Sequence, residues 1–469
     1  MASPGDKELE SLRGQIRAVT FDIVKKVHER MALAEQVGEI KGRLGIDVKD
    51  EKVEQEIRLM VIRQAEDAGM SREFALRLLN ILLAESEAIQ TKNRIQKRAP
   101  RQTHLSIFQK AKQMEASGRH IIHLEVGEPD YPAPAQVGRA LSESFRQRKY
   151  HYTDPRGIPP LRAAIAKKNE VSEDSVIVTP GGRFAVFAAI ASLVRPGEEI
   201  ITIEPAWPAY RECADFTGAR TKALKTTLES GWTPDLKELE SLITSGTKMI
   251  ALNYPNNPTG KVLDKKTMDG IVSLAKDWKL YLLSDEVYSD YSFSKPFTSV
   301  QSYGYEKCVI VSSFSKTYAM TGFRVGYSLA DPDLVKKMAK VQAVGVTSVA
   351  EPMQLAALAA LDVDPSENID LMKKRLRFLS SKLKEMSLQF MEPDGAMYVY
   401  PQLPNNGDSE ERDDDMQIVE RLLEKGVAIA PGTGFGESYR RFVRISACRD
   451  EEDIAKGLAI MTDELEKAQ

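Results

Sequence analysis

The chain's 469 residues include 42% hydrophobic, 28% charged and 7% aromatic side chains, and 65 Lys+Arg against 68 Asp+Glu leave a net charge of -3. These values exclude a disordered or fibrous chain and an overall positive field that would draw nucleic acid, and the length predicts two or three domains. Cys213, Cys308 and Cys448 lie far apart, the histidines show no ligand spacing, and no apolar run is long enough to span a membrane, so a cytoplasmic chain without disulfide, metal or leader is expected.

Residues 6–94 are almost free of proline and patterned for helices. Leu9, Leu12, Ile16, Val19, Ile23, Val27 and Met31, then Val37, Ile40 and Leu44, recur every three or four positions. They predict one helix from Lys7 to Arg43, about 55 Å long. Gly45 ends it, a second helix runs from Asp50 to Ala68 before Gly69, and Ser71 caps a third that reaches Arg94. Two short neighbours cannot cover so long a stripe, so an intertwined homodimer is expected. Arg30 and Lys41 share a face of the first helix, about 16 Å apart, whereas Arg13 points about 100° away and suits a different pocket. Asp50 with Glu54, and Ser86 with Gln90, are i,i+4 pairs.

These positions resemble the AroQ-type chorismate mutases, all-helical dimers, over about residues 8–94. The resemblance implies a pocket in which Arg30, Lys41, Asp50, Glu54, Ser86 and Gln90 hold chorismate while Arg13 comes from the partner subunit. Lys41 and Gln90 would meet charge developing on the ether oxygen as chorismate rearranges to prephenate. Val53 stands where many members carry arginine, which keeps a degenerate, regulatory domain open as an alternative.

Residues 1–95 form the expected helical domain, and 96–104, basic and interrupted by Pro100, the linker. Beyond it, Val176–Val178, Ile200–Ile203, Met249–Leu252, Leu280–Leu283 and Val309–Val311 alternate with helical patterns. That rhythm predicts a mostly parallel sheet covered on both faces. Lys316, in SSFSKTYAMTGFRVGY (312–327), follows one of these strands and is bracketed by Ser313, Ser315 and Arg324. An amine among hydroxyls and a guanidinium suits condensation with a phosphorylated aldehyde. Asp285, in SDEVY (284–288), could pair with a protonated pyridine nitrogen, and Tyr288 and Asn257 could donate to the ring's phenolate oxygen. TPGGRFAVF (179–187) opens a helix whose amides face an anion.

In this order, the motifs resemble the fold-type I pyridoxal-5'-phosphate aminotransferases of class I/II, in the aspartate, aromatic and prephenate branch, over about residues 100–469. The resemblance implies a large domain at about 146–365 and a small one at about 105–145 plus 366–469. It brings Gly127, Asn257 and Arg444 to the substrate, Trp207 to the cofactor ring, and Gly182, Arg183, Ser313, Ser315 and Arg324 to the phosphate. Tyr152 would serve the other subunit's phosphate. It also implies transamination between glutamate or aspartate and a 2-oxo acid, with Lys316 moving the α-proton.

Together the two resemblances predict a bifunctional enzyme of aromatic amino-acid synthesis that takes chorismate, amino acids and 2-oxo acids. The 2-oxo acids in view are prephenate, phenylpyruvate, 4-hydroxyphenylpyruvate and oxaloacetate. An aspartate aminotransferase with a regulatory mutase domain is the near alternative. A ligand-sensing regulator is the distant one, opposed by the balance of 16 Lys/Arg and 17 Asp/Glu in residues 1–95.

Overall fold

The computed structural model describes residues 4–44, 51–97, 104–404 and 415–467. The chain divides into two compact units, Met1–Arg101 and Gln102–Gln469.

The first unit holds helices Pro4–Leu44, Glu51–Asp67 and Arg72–Lys97, and the third packs on both of the others. The sequence expectation erred by a few residues at the helix ends, where capping rather than periodicity decides. Gly69 takes a left-handed φ of 67°, and the Phe74 amide donates to the Ser71 hydroxyl at 3.4 Å as the third helix starts. Ala34, Ala65, Ala75 and Leu79 are buried, and Gly38 lets the first and third helices close together. A Cβ at Gly38 would stand 2.9 Å from Gln90 Cγ and 3.0 Å from Gln90 Cα.

In the second unit, a seven-stranded sheet runs in the spatial order Val176–Thr179, Gly326–Ala330, Cys308–Ser313, Tyr281–Asp285, Thr247–Asn253, Glu199–Glu204, Arg220–Lys225. Gly326–Ala330 is antiparallel to both neighbours, and every other neighbouring pair is parallel. The strands read from sequence had apolar runs because both faces are covered: Ile177, Ile200, Met249, Leu283 and Val309 pack one layer, and Val178, Ile201, Ile250, Leu282 and Ile310 the other. Each such side chain contributes about 1.5–3 kcal/mol on burial. Two strands had no such run. Arg220–Lys225 lies at an edge and is partly exposed, and Gly326–Ala330 is built partly of small residues.

A second core surrounds the antiparallel strands Ala430–Pro431, Val443–Ser446 and Tyr398–Val399. It takes in Ile107, Ala111 and Leu124 from the chain's earlier part and residues between Met372 and Leu465 from its end. Val137, on helix Ala135–Arg146, packs instead on the large sheet's core, although residues 105–145 were expected in the small domain.

Candidate active sites

Parallel register sets the aminotransferase-like site. Asn253 pairs with Asp285 and Asp285 with Val311, so three neighbouring strands present their carboxyl ends side by side. A cavity of 330 Å³ opens there. It is lined by Lys316, Asp285, Tyr288, Asn257, Arg444, Gly127, Gly182, Arg183, Trp207, Ser313, Ser315 and Arg324, a set assembled from segments nearly 320 residues apart.

One end of this cavity is built for an anion. Helix Gly182–Leu193 starts there, its amides pointing outward. Gly181, at φ 82°, lets the Arg324 guanidinium approach, since a Cβ would stand 2.7 Å from Nη2. Arg324 itself is held at φ 55° and donates to the Thr321 carbonyl at 2.7 Å. The Ser313 hydroxyl donates to the Ser315 hydroxyl at 2.8 Å.

Elsewhere in the lining, Asp285 is buried, accepts a 2.7 Å hydrogen bond from Tyr210, and is pushed up to about 6 by burial. Burial likewise pulls the Lys316 ammonium below its ordinary value, favouring a neutral, nucleophilic amine, and the amine donates to the Gly127 carbonyl. Tyr288 and Tyr398 share a 2.8 Å hydroxyl–hydroxyl bond. Arg444, fully buried, donates to Asn257 Oδ1 at 2.8 Å and to the Glu125 carbonyl, and lies 4.3 Å from the centre of the Tyr398 ring. Its Nε is buried and has no hydrogen-bond partner among the described residues. The Arg183 guanidinium stacks 4.6 Å over the Trp207 ring and pairs with Glu212 at 3.0 Å.

A phosphate, a cationic ring nitrogen and an aldehyde each meet their complement in this set: a helix start with hydroxyls and guanidinium, a buried carboxylate, and an amine. These residues fit pyridoxal phosphate. Tyr152 lies outside the described lining of this cavity and is 90% exposed. Sequence reading missed Tyr398, Tyr210 and Asn253. Tyr210 was within reach, three residues after Trp207 in the same motif.

In the helical unit, Arg30 turns inward from the first helix to the third. Its guanidinium donates to the Leu82 carbonyl at 2.7 Å and to the Ser86 hydroxyl. Ser86 and Gln90 are buried one turn apart, and the Gln90 side-chain oxygen has no partner among the described residues. Lys41 and Glu54 are half-buried. Arg13 is exposed and pairs with Glu10 at 3.4 Å. Val53 is 47% exposed, and Asp50 lies outside the described residues.

Residues 119–460 match the family model for aminotransferase class I and II, and residues 12–91 that for chorismate mutase type II. The chain belongs to the class I and II aminotransferases. Within this family it is 36% identical over 363 residues to the aspartate aminotransferase of Thermotoga maritima, spanning 76% of this chain and 94% of that one. It is 33% identical over 377 residues to the aspartate/prephenate aminotransferase of Thermus thermophilus, spanning 78% and 96%. The crystal structure of the Thermotoga maritima aspartate aminotransferase superposes with a TM-score of 0.73 at 34% identity, covering 78% of this chain and 98% of that one. The chain is thus a pyridoxal-phosphate-dependent aminotransferase fused behind a chorismate mutase domain, a bifunctional enzyme. Neither the regulator nor the reading with a degenerate mutase is favoured.

Proposed function

We propose that the mutase domain makes prephenate from chorismate and that the aminotransferase accepts prephenate, with glutamate or aspartate as donor, in a cytoplasmic homodimer. The observation that carries the transamination is the single cavity holding Lys316, Asp285 and Arg444. The fusion to a mutase, together with a relative named for both aspartate and prephenate, supports the choice of acceptor.

In this reading Arg444 grips the donor's α-carboxylate with its buried guanidinium. Its bond to Asn257 Oδ1 orients that amide so that Nδ2 is free to donate into the cavity. Pyridoxal phosphate, when bound, supplies a ring that absorbs the electron pair left on the α-carbon. Asp285 would pair with the ring nitrogen and hold a proton there, its own carboxylate staying ionised beside that charge despite burial. The Lys316 amine would take the proton from the donor's α-carbon and hold it for return, a role its burial-lowered affinity for protons allows. Ser313, Ser315, Arg324, Gly182 and Arg183 hold the phosphate, and Tyr152 reaches the partner subunit's site.

In the mutase, Arg30 and Arg13 would hold the dicarboxylate, with Asp50, Glu54 and Ser86 completing the pocket. Lys41 and Gln90 would meet the ether oxygen; no nucleophile is needed. The deciding experiment supplies the holoenzyme with glutamate or aspartate and a panel of prephenate, phenylpyruvate, 4-hydroxyphenylpyruvate, oxaloacetate and 2-oxoglutarate. A kcat/KM for prephenate below that for each other 2-oxo acid would reject the proposed acceptor.

A further inference from the structure

The segment 127–131 reaches Lys316 by two routes, one direct and one through Tyr291. Its first residue, Gly127, accepts from the lysine amine. Its last, Tyr131, has its hydroxyl 2.7 Å from that of Tyr291, and Tyr291 donates to the main-chain carbonyl of Lys316 at 2.9 Å. A phenol has one proton, so with Tyr291's directed at the carbonyl, Tyr131 is the donor to Tyr291. Tyr291 is fully buried and Tyr131 nearly so. Burial raises both phenols, Tyr131 to about 12, so each keeps its proton at neutral pH. Asp130, between the two contact points, is tied to the buried Arg375 at 2.5 Å.

Phenylalanine would fill the same space at both positions, so packing alone does not require the hydroxyls. Nor would mere satisfaction of two buried hydroxyls direct them to the peptide of this lysine. We infer that Tyr131 and Tyr291 are positioning residues, a two-hydroxyl relay through which segment 127–131 fixes the main chain of Lys316 while Gly127 fixes its amine. The relay sets the distance over which a proton passes from the donor's Cα to the lone pair of Nζ, the C–H bonding pair staying on the carbon side. Misplacement by an ångström is enough to slow such a transfer severely. The inference rests on Lys316 being the lysine that carries pyridoxal phosphate.

The test is a single-turnover donor half-reaction of the full-length holoenzyme, followed by the absorbance of the bound cofactor with α-protio and α-deuterio glutamate. Tyr291→Phe should lower the rate about fivefold to tenfold, the worth of one hydrogen bond, at unchanged amplitude and unchanged donor affinity. The isotope effect should be at least that of the wild type. Tyr131→Phe should act in the same direction but less, and the double variant should be no slower than Tyr291→Phe. A lowered amplitude at wild-type rate would assign the tyrosines to packing and overturn the inference, as would additive effects in the double variant. Should Tyr291→Phe fail to fold, a wild-type rate in Tyr131→Phe overturns it equally. Lys316→Ala tests the underlying assignment separately: retention of the protein-bound cofactor band there would show the lysine wrongly chosen, whatever the tyrosines do.

Discussion

Asp285 is 3% exposed, with the Tyr210 hydroxyl and the Val287 amide directed at its oxygens. Without cofactor, burial raises the carboxyl to about 6, whereas in the unfolded chain it releases its proton near pH 4. The folded state therefore holds the extra proton between these values, and stability falls as pH rises through that window and stays low above it. The cost is about 3 kcal/mol at most, a shift of about two units. Asp285→Asn should accordingly stabilise the cofactor-free chain against urea above pH 6, with the gain vanishing near pH 4, while transamination by the holoenzyme falls about 100-fold. An apo variant no more stable than the wild type at pH 7.5 would refute the assigned cost. Glu286, buried beside it and raised to about 7, adds to the same pH trend in both proteins. Lys316 and Asp285 were legible because Asp285 closes an apolar strand and Lys316 follows one, each within a recognisable motif. Tyr398 was not, because its partner Tyr288 lies 110 residues away and its own segment, AMYVYP, reads as core.

At the scale of elements, the first and third helices of the mutase domain meet where Gly38 faces Gln90. Alanine at an ordinary helical position adds up to about 1 kcal/mol of stability over glycine. At Gly38 its methyl would stand 3.0 Å from the Gln90 Cα, a backbone atom that cannot swing aside, and overpacking costs about 1–3 kcal/mol. Gly38→Ala should therefore reduce chorismate consumption and leave transamination unchanged, and equal or higher mutase activity would show that the helices separate without harm. Periodicity announced both of these helices, but the approach of Gly38 to Gln90 depends on how they pack, which no single helix pattern encodes. Likewise, the strands buried on both faces announced themselves as apolar runs. The edge strand Arg220–Lys225 did not, because its exposed positions hold Arg220 and Lys225, and Gly326–Ala330 escaped because glycine, serine and alanine carry little pattern.

Taken whole, the chain joins two kinds of chemistry whose demands differ. The mutase domain exposes Leu9, Leu12, Ile16, Val19 and Ile23 along one stripe, each at least 49% accessible, more apolar surface than a helix keeps in water without a partner. A second copy with the same stripe would cover it, and Arg13, on the same helix, would then face a neighbour's pocket. Ile16→Glu puts a charge in the middle of that stripe and should abolish chorismate consumption while transamination persists, since the described residues lining the cavity around Lys316 all belong to the second unit. Lys316→Ala should do the reverse, so that prephenate accumulates from chorismate with the amino donor present. Mixing the two variants supplies the test of independence. If each site works alone, with prephenate released into solution, the mixture restores conversion of chorismate to the transaminated product. If conversion stays absent while both separate activities persist, prephenate passes between sites of one assembly.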